Sequence, residues 1–385
     1  MADHYTPREM LEKLVAFPTV SRDTNLPLMD FVEEYLDGHG VKSHRVYSDD
    51  GQKCNLYACV GPEEPGGVVM SGHVDVVPVD GQAWDTDPFE VVQKGSRLYG
   101  RGTCDMKGFD ALVLAAVPKA LKSNLKRPMQ IALSYDEETG MEGAYRLAPA
   151  IAEHLPPASA LIVGEPSEMQ VVTGHKGGLM MQTNIHGYEV HSSLVHTGVS
   201  AVMTAAKLIT WLEEQMAANK AKADPASLFV PPYTTLHVGM INGGTARNIV
   251  AKDCWFSTDV RVIPGESSKD WIAKYQAKVD EVVAEMQKIH PDTGITIDIR
   301  GDIPGCRPEM ATEAEALCRA LTGDNAEHVV SYGTEAGLFQ DVGYSACICG
   351  PGNIEQAHQP NEFIEISQLD AGEQFMHRLL ERLAA

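Results

Sequence analysis

Residues 129–140, MQIALSYDEETG, begin as an apolar, strand-like segment and end on three adjacent acids, Asp136, Glu137 and Glu138. Their charges repel one another, so this ending is unfavourable unless positive charge lies among them. In open α/β sheets, ligands bind in the crevice at the carboxyl ends of the strands. The segment therefore predicts a buried strand of an α/β sheet whose end faces bound cations.

The elements on either side of this strand indicate two domains. Up to residue 178, helical segments alternate with strand-like ones such as CNLYACV, GVVMSGHVDVVPV and ASALIVGE, which is typical of an α/β layer with a largely parallel sheet. Residues 179–301 instead follow a strand, helix, strand, strand, helix, strand order, the ferredoxin-like βαββαβ arrangement. Residues 302–385 restore the first pattern. We therefore expect a discontinuous domain, 1–178 and 302–385, with residues 179–301 inserted as a second domain.

Charge and hydropathy exclude several classes of partner. The formal net charge is −22 at pH 7, with 31 Lys and Arg against 53 Asp and Glu, so nucleic acid and anionic lipid would be repelled. No segment offers the roughly 18 consecutive apolar residues that a membrane span requires. We expect a protein that binds neither nucleic acid nor membrane.

The cysteines and the amino terminus favour a cytoplasmic protein. The eight cysteines contain no CxxC pair, and Cys347 and Cys349 alternate within an apolar run, which indicates core packing. Asp3 and Glu9 interrupt the apolar core that a signal peptide needs, and Thr6 begins a helix capping box with Glu9. We therefore expect no export signal and a helix from the start of the chain.

Further candidate ligands lie at other predicted strand ends. SGHVDVVP places His73 and Asp75 two residues apart on one side of a strand, so that Asp75 could hold the far nitrogen of the His73 ring. GRGTCDMKG presents Asp105 at a glycine-rich strand-to-helix turn, and GEPS ends another strand on Glu165. Singly, these are ordinary core histidines, helix caps or solvated acids. Their convergence favours one shared metal site.

The donor types indicate the metal and oppose a nucleotide. Asp105 stands where the third glycine of a GxGxxG motif would be, and its charge would oppose a pyrophosphate. Oxygen and imidazole ligands without sulfur suit zinc, cobalt or manganese. Two such cations would balance three carboxylates, those of Asp105, Glu138 and Glu165, and one hydroxide. In an extended segment Glu137 and Glu138 face opposite ways, which would leave Glu137 to move a proton.

Together, these motifs resemble the dinuclear zinc aminoacylase and carboxypeptidase family. The matching stretches span essentially the whole chain: GHVDVVP, GRGTCDMKG, SYDEETG, GEPS, GYEVHSS to GVSA, GGTARNIV and GPGNIEQAHQPNEF. The resemblance implies a three-layer zinc-hydrolase catalytic domain with an inserted ferredoxin-like lid that forms a homodimer. It also implies two Zn²⁺ per chain, for which Co²⁺ could substitute.

The resemblance also implies a role for each matching residue. His73 and Glu165 would bind one metal, Glu138 and His358 the other, and Asp105 would bridge them. Glu137 would be the general base, with Asp75 supporting the centre. In the lid, the matching residues are His191, Asn248 and Arg261, with His196 as an alternative to His191. His191 would polarise the scissile carbonyl, in its own chain or across the dimer. Asn248 and Arg261 would bind the oxyanion or the substrate carboxylate, although a strand-surface ion pair explains Arg261 equally well.

The implied reaction is hydrolysis of an N-acyl amino acid by a metal-bridging hydroxide. The resemblance favours N2-acetyl-L-ornithine, giving acetate and L-ornithine for arginine biosynthesis, and Glu335 in YGTEAG could attract its side-chain ammonium. Other acyl-amino-acid deacylases, a succinyl-diaminopimelate desuccinylase and a metallocarboxypeptidase stay open as alternatives. So does a non-catalytic metal- or ligand-binding module, although a spare base beside a complete ligand set argues against it.

Overall fold

The computed structural model describes residues 4–385 and divides the chain into two compact units. Asp3, used in the argument against an export signal, lies outside the described residues. Unit 1 comprises the described part of Met1–Gly174 together with Cys306–His328 and Thr334–Ala385, and unit 2 comprises His175–Gly305 and Val329–Gly333. The sequence placed the two boundaries a few residues away, and it gave no sign that Val329–Gly333 belongs with the insert.

The helices and strands have the following bounds. The α-helices among residues 4–385 are α1 Pro7–Val15, α2 Leu26–Gly38, α3 Lys107–Lys122, α4 Glu137–Gly140, α5 Glu142–His154, α6 Ala201–Ala221, α7 Ser268–Gln287, α8 Thr312–Thr322, α9 Ala336–Asp341 and α10 Ile366–Ala384. The strands there are β1 Ser43–Tyr47, β2 Cys54–Val60, β3 Gly67–His73, β4 Val92–Lys94, β5 Arg97–Tyr99, β6 Met129–Ser134, β7 Ala158–Pro166, β8 Val172–His175, β9 Gly177–His186, β10 Thr235–Gly243, β11 Asp253–Val262, β12 Gly294–Ile303, β13 His328–Val330, β14 Ala346–Gly350 and β15 Phe363–Glu365.

The main sheet of unit 1 is parallel only in its middle. Its strand order begins β1-β2-β6-β3-β7-β14-β8, and β6, β3, β7 and β14 pair in parallel. The pairs β1–β2, β2–β6 and β14–β8 are antiparallel, so the largely parallel sheet predicted from the sequence is a mixed one. β1 and β2 follow each other directly along the chain, and a short connection permits only antiparallel pairing. The parallel core places four carboxyl ends at one edge.

Two glycines let α3 approach this sheet closely. A Cβ at Gly164 in β7 would lie 2.0 Å from the ring of Phe109, and a Cβ at Gly72 in β3 would lie 2.1 Å from Oδ1 of Asp110. Both neighbours belong to the first turns of α3, and Pro118 further along does not end the helix. The amino terminus of α3, with Asp105 just before it, is therefore held against the strands that carry the other candidate ligands.

Local sequence signals fix the ends of several helices. At α1, the Thr6 side chain accepts a hydrogen bond from the Glu9 backbone and the Glu9 side chain accepts one from the Thr6 backbone, which confirms the predicted capping box. α2 ends at Gly38. These helix ends need no tertiary contact, because their backbone groups form hydrogen bonds within one turn of the chain.

Unit 2 is an antiparallel sheet with two long helices on one face. The strand order is β10-β11-β9-β12, and each neighbouring pair is antiparallel. Leu179, Met181 and Ile185 alternate along β9 and pack with apolar residues of α6 and α7, such as Leu208 and Val279, into a separate core. The predicted βαββαβ arrangement is confirmed.

Two expectations about membranes and thiols can be compared with the described residues. Within residues 4–385, no helix combines the length and the apolar character needed to cross a membrane. All eight cysteines are free, and Cys347 and Cys349 are fully buried in the core of unit 1, as their alternation predicted.

Candidate metal centre

Three neighbouring parallel strands supply most of the candidate ligands. β3 ends at His73, β7 carries Glu165 next to its last residue, and Glu137 and Glu138 follow shortly after β6. Because β6, β3 and β7 are adjacent and parallel, their carboxyl ends lie at the same edge of the sheet. The structure therefore brings these four residues together.

Asp105 lies beside these residues, although it does not follow a strand of the main sheet. The sequence placed it at the end of a strand of the α/β sheet, but the strand before it, β5, belongs to the separate sheet β15-β5-β4. Asp105 lies in the turn that leads into α3, and that helix packs on the main sheet. The predicted strand-to-helix turn is present, but the expectation that Asp105 follows a strand of the main sheet is wrong.

Asp105 lies between the two histidines. Its Oδ1 is 3.0 Å from Nε2 of His73, and its Oδ2 is 3.2 Å from Nε2 of His358. His73 Nε2 is also 3.6 Å from Glu165, and His358 Nε2 is 3.0 Å from Glu138. Ligand atoms about 2.0–2.2 Å from a tetrahedral zinc ion lie roughly 3.3–3.6 Å from one another. The separations are close to those of two cation sites that share Asp105.

Nδ1 of His73, the ring nitrogen that does not face Asp105, contacts the backbone of Asp75 more closely than the predicted carboxylate. Nδ1 lies 2.9 Å from the backbone carbonyl of Asp75 and 3.5 Å from its carboxylate. The strand ends at His73, so Asp75 no longer follows the alternation of a strand. The Asp75 carboxylate instead accepts hydrogen bonds from Ser21 Oγ at 2.6 Å and from the backbone N–H groups of Glu137 and Glu138 at 3.1 and 3.4 Å. Asp75 thus orients the acidic segment as well as the histidine.

The acidic segment after β6 is helical. Glu137 and Glu138 begin the short helix α4, so the extended geometry used to separate their directions is wrong. Asp136 has φ of 58°, in the left-handed region, and its carboxylate lies 2.6 Å from Nζ of Lys53. The three adjacent acids therefore have different surroundings: Asp136 pairs with a lysine, Glu138 faces His358, and Glu137 lies within 4.8 Å of His73 and Glu165 in ligand-atom distance.

Burial and mutual repulsion dominate the electrostatics of the cluster. Burial, reinforced by Glu165, raises the pKa of Glu137 well above its ordinary value. Burial and then the charge of Asp105 raise the pKa of Glu138 to about 7 and that of Glu165 well above its ordinary value. Hydrogen bonds to Asp105 and Glu138 raise the pKa of His358 to about 10. Carboxylates this close ionise together only when positive charge lies among them.

These residues fit a pair of divalent cations. The donors are imidazole nitrogens and carboxylate oxygens, the set that zinc and related metals accept. Two triads have ligand atoms that all lie within 4.8 Å of one another: His73 with Glu137 and Glu165, and His73 with Asp105 and Glu138. His358 adds a further nitrogen beside Asp105 and Glu138. The repulsion among the buried acids is what such cations would neutralise.

Glu335 is enclosed within unit 1. It is 1% exposed, and its carboxylate accepts a hydrogen bond from Ser134 Oγ at 2.5 Å at the end of β6. Burial raises its pKa to about 7. Contact with a substrate ammonium would require its surroundings to open, so the predicted substrate role of Glu335 stays a prediction.

The remaining predicted site residues lie in unit 2. His191 is exposed, with Nδ1 2.8 Å from Ser193 Oγ. The backbone carbonyl oxygen of Asn248 accepts a hydrogen bond from the backbone N–H of Ser192.

Arg261 on β11 forms an ion pair with Asp259, Nε to Oδ1 3.1 Å. The strand-surface ion pair considered for Arg261 is therefore present. The alternative His196 is exposed in the turn after His191. The predicted roles of His191, Asn248 and Arg261 stay predictions.

Sequence reasoning missed several residues that support the cluster. Lys53 and Ser21 contact it from distant parts of the chain, and no local pattern marks either of them. Glu362, whose carboxylate accepts hydrogen bonds from the backbone around Asp105, stands in the QAHQPNEF stretch four residues after His358. That stretch was the one signal that could have pointed to it.

Comparison with known proteins adds two findings from sequence. The pattern of peptidase family M20/M25/M40 matches residues 69–382. The chain is 34% identical over 367 residues to an acetylornithine deacetylase of Myxococcus xanthus, covering 94% of this chain and 93% of that protein. It is 33% identical over 381 residues to the acetylornithine deacetylase of Proteus mirabilis (strain HI4320), covering 97% and 95%.

Solved structures show the same fold. A Staphylococcus aureus tripeptidase superposes with a TM-score of 0.76 at 18% identity, covering 98% of both chains. A Bacillus subtilis protein described as a dinuclear metal-binding peptidase superposes with a TM-score of 0.64 at 14% identity, covering 98% of this chain and 97% of that one. At these identities the likeness concerns the fold alone.

Proposed function

The chain belongs to peptidase family M20/M25/M40, and from this premise we propose that it hydrolyses N2-acetyl-L-ornithine to acetate and L-ornithine. It is a metallohydrolase that acts on amide bonds. The finer assignment is supported by the names of its relatives. The observation that carries the chemistry is the meeting of two histidines and several buried carboxylates at one sheet edge, with Glu137 beside them.

Two cations would be held by residues on either side of Asp105. His73 and Glu165 would bind one of them, His358 and Glu138 the other, and the two oxygens of Asp105 would be shared. Bound there, the cations would supply a nucleophilic water that loses its proton near neutral pH and would polarise the scissile carbonyl. Zinc is the metal we propose, with cobalt as a substitute, because imidazole and carboxylate donors suit both.

Glu137 is the residue we assign to proton transfer. It lies within 4.8 Å of His73 and Glu165 in ligand-atom distance, and its backbone N–H donates to Asp75, which fixes the start of α4. Burial raises its pKa well above the ordinary value, which makes it a stronger base than an exposed carboxylate. Glu137 would take the proton of the attacking water and later deliver it to the leaving amine.

Other parts of the proposal rest on the family resemblance. His191 would polarise the carbonyl oxygen, and Asn248 and Arg261 would bind the oxyanion or the substrate carboxylate. We propose a homodimer formed through unit 2 and a cytoplasmic role in arginine biosynthesis. The guanidinium of Arg261 suits this task because its planar donors match a carboxylate, and binding there would compete with its ion pair to Asp259.

A matched pair of variants tests the division of roles between neighbouring acids. We expect Glu137→Gln to lower kcat by about 10²–10⁴-fold, the usual contribution of a general base, while metal content stays near two per chain. Glu138→Gln should instead lose one metal, because it removes a ligand beside His358. Metal analysis of the purified variants together with steady-state kinetics measures both effects. A Glu137→Gln variant that retains most of its kcat would show that another group transfers the proton.

A substrate panel tests the choice of substrate. Rates on acetylornithine, acetylcitrulline, succinyl-diaminopimelate and a dipeptide, measured on metal-reconstituted protein, separate the proposed function from its alternatives. The highest kcat/KM is expected for acetylornithine. A preference for the dipeptide or the succinylated substrate would replace the proposed substrate but leave the metal chemistry in place.

A further inference from the structure

A buried ion pair lies behind the candidate metal centre. Arg101 Nη1 is 2.6 Å from Oε2 of Glu362, and both side chains are 1% exposed. Burying two charges carries a desolvation cost that their attraction often fails to offset, so a buried pair is weak evidence of a stabilising role. The hydrogen bonds around this pair indicate what else it does.

The second oxygen of Glu362 holds the backbone at Asp105. Oε1 accepts hydrogen bonds from the N–H groups of Cys104 at 2.9 Å and Asp105 at 3.0 Å. These two donors precede α3, so the carboxylate fixes the turn from which the Asp105 side chain projects. Charge-assisted hydrogen bonds of this kind are stronger than neutral ones. The position of Asp105 therefore depends on the position of Glu362.

The other side of Arg101 leads to His358. Nη2 donates to Oε1 of Gln82 at 2.6 Å, and Nε2 of Gln82 donates to the backbone carbonyl of His358 at 3.0 Å. Trp84 Nε1 also donates to Gln82 Oε1, at 3.1 Å, which fixes the amide so that its nitrogen faces His358. An unbroken series of hydrogen bonds therefore joins Glu362 to the backbone of His358 through Arg101 and Gln82.

His358 needs such support because its backbone is strained. Its φ is 61°, in the left-handed region that residues other than glycine seldom adopt, and its side chain is half exposed. Residues held in this region persist when surrounding contacts determine the conformation. The hydrogen bond from Gln82 is such a contact, and it acts directly on the residue whose Nε2 faces Asp105 and Glu138.

We propose that Glu362, Arg101 and Gln82 are positioning residues that hold Asp105 and His358 in one rigid frame. By fixing the separation of these two side chains, the frame sets the affinity for the cation that Asp105 and His358 share with Glu138. The inference rests on the proposed metal-binding function. It adds that the two cation positions differ, because the frame holds two ligands of one position, Asp105 and His358, but only the shared Asp105 of the position that His73 and Glu165 would complete.

The test is a metal titration of the full-length, metal-free chain. Co²⁺ binding is followed by its visible absorption and by calorimetry, which resolve two binding events in the wild type. Glu362→Gln keeps the size of the side chain but places an amide nitrogen against either Arg101 or the backbone donors. We expect it to weaken one event by about 10–100-fold, the range for residues that orient metal ligands, and to weaken the other less, because the second position keeps His73 and Glu165 on their strands.

Glu365→Gln is the matched control. Glu365 also pairs with an arginine at 2.6 Å, that of Arg97, but the pair lies on the surface and contacts neither Asp105 nor His358 among the described residues. Both binding events should be unchanged in this variant. Excess Co²⁺ should restore the activity of Glu362→Gln, which a disrupted fold would not allow.

The titration distinguishes a failure of the proposed metal binding from a failure of the frame alone. A wild-type chain that binds fewer than two cations would overturn the proposed function, and the frame with it. Two normal events in both wild type and Glu362→Gln, or equal weakening of both events, would overturn the frame alone. If Glu362→Gln does not fold, Gln82→Met removes the bond to the His358 carbonyl and the acceptor of Arg101 Nη2, but it keeps both partners of the buried pair. It should weaken the event that Glu362→Gln weakens more, and unchanged binding in that variant would equally overturn the frame.

Discussion

Asp110 is a buried carboxyl group whose surroundings do not satisfy it. It is 1% exposed, and neither of its oxygens has a hydrogen-bond partner among residues 4–385. Burial raises its pKa to about 8. Its position beneath Gly72 follows from the close approach of α3 to β3, so the space there admits the carboxyl group but no side chain on the strand. The packing of α3 against β3 thus imposes a free-energy cost, that of burying a carboxyl group without hydrogen-bond partners.

The cost at Asp110 should depend on pH. An unfolded aspartate has a pKa of about 3.9, so between about pH 4 and pH 8 the unfolded chain releases a proton that the folded chain keeps. The destabilisation grows as pH rises through this window and is constant above it. We expect Asp110→Asn to raise the free energy of unfolding by about 1–3 kcal/mol at pH 8 and by much less at pH 5.

Urea unfolding at the two pH values measures this difference. Asp37→Asn, at an exposed position near the end of α2, serves as the control and should show no such dependence. An equal effect of Asp110→Asn at pH 5 and pH 8 would mean that the carboxyl group is already ionised in the folded chain at pH 5.

At the scale of elements, the contact between α3 and the sheet determines where Asp105 lies. The contact requires glycine in two strands, since a Cβ at Gly164 would overlap the ring of Phe109. Helix-to-sheet packing of this kind tolerates little change in volume. The position of Asp105 before α3 therefore depends on the glycines in the strands. In the same way, the position of His73 depends on the strand that ends there.

Gly164→Ala tests this contact. We expect a loss of about 1–3 kcal/mol or more of unfolding free energy from overpacking, because the nearest ring atoms lie 2.0 Å from the added Cβ. The displacement of α3 should also weaken metal binding. Gly294→Ala in β12 is the control, since its added Cβ meets nothing within 4 Å. Similar stability of both variants, measured by chemical denaturation, would show that α3 can move away without cost.

At the scale of the whole molecule, the candidate metal centre and the second core belong to different units. The acid cluster lies in unit 1, whereas unit 2 has its own apolar core between its sheet and the helices α6 and α7. A ligand that binds only the folded state stabilises the part of the molecule it binds, by about 2.7 kcal/mol at a free concentration of 100 Kd. Bound metal should therefore stabilise unit 1 more than unit 2.

Chelation is the corresponding experiment. We expect removal of bound metal to lower the Tm of the transition that reports on unit 1, because the buried acids then repel one another without compensation. The transition that reports on unit 2 should stay in place. Scanning calorimetry with and without EDTA, with fluorescence of Trp84 and Trp271 assigned by substitution to follow each unit, resolves the two. Equal shifts of both transitions would mean that the units unfold as one.

Particular elements show how far sequence reasoning reaches. The capping box at Thr6 and the βαββαβ order of residues 179–301 were predicted because hydrogen bonds within one turn and the spacing of apolar residues determine them. The sheet was predicted to be largely parallel, but its pairs β1–β2, β2–β6 and β14–β8 are antiparallel, because pairing depends on which strands become neighbours. The same limit applies to Asp105, whose strand belongs to a different sheet.

The sequence by itself determined the fold class, the residue types of the candidate metal centre and the family to which the chain belongs. These follow from local periodicity and from motifs that are readable along the chain. Only the tertiary structure decided that Lys53 neutralises Asp136 and that the backbone of Asp75 holds His73. It also decided that Glu362, Arg101 and Gln82 form a series of hydrogen bonds from the backbone of Asp105 to that of His358. Such contacts join residues far apart in the chain, and their energies depend on distance and burial, which exist only once the chain is packed.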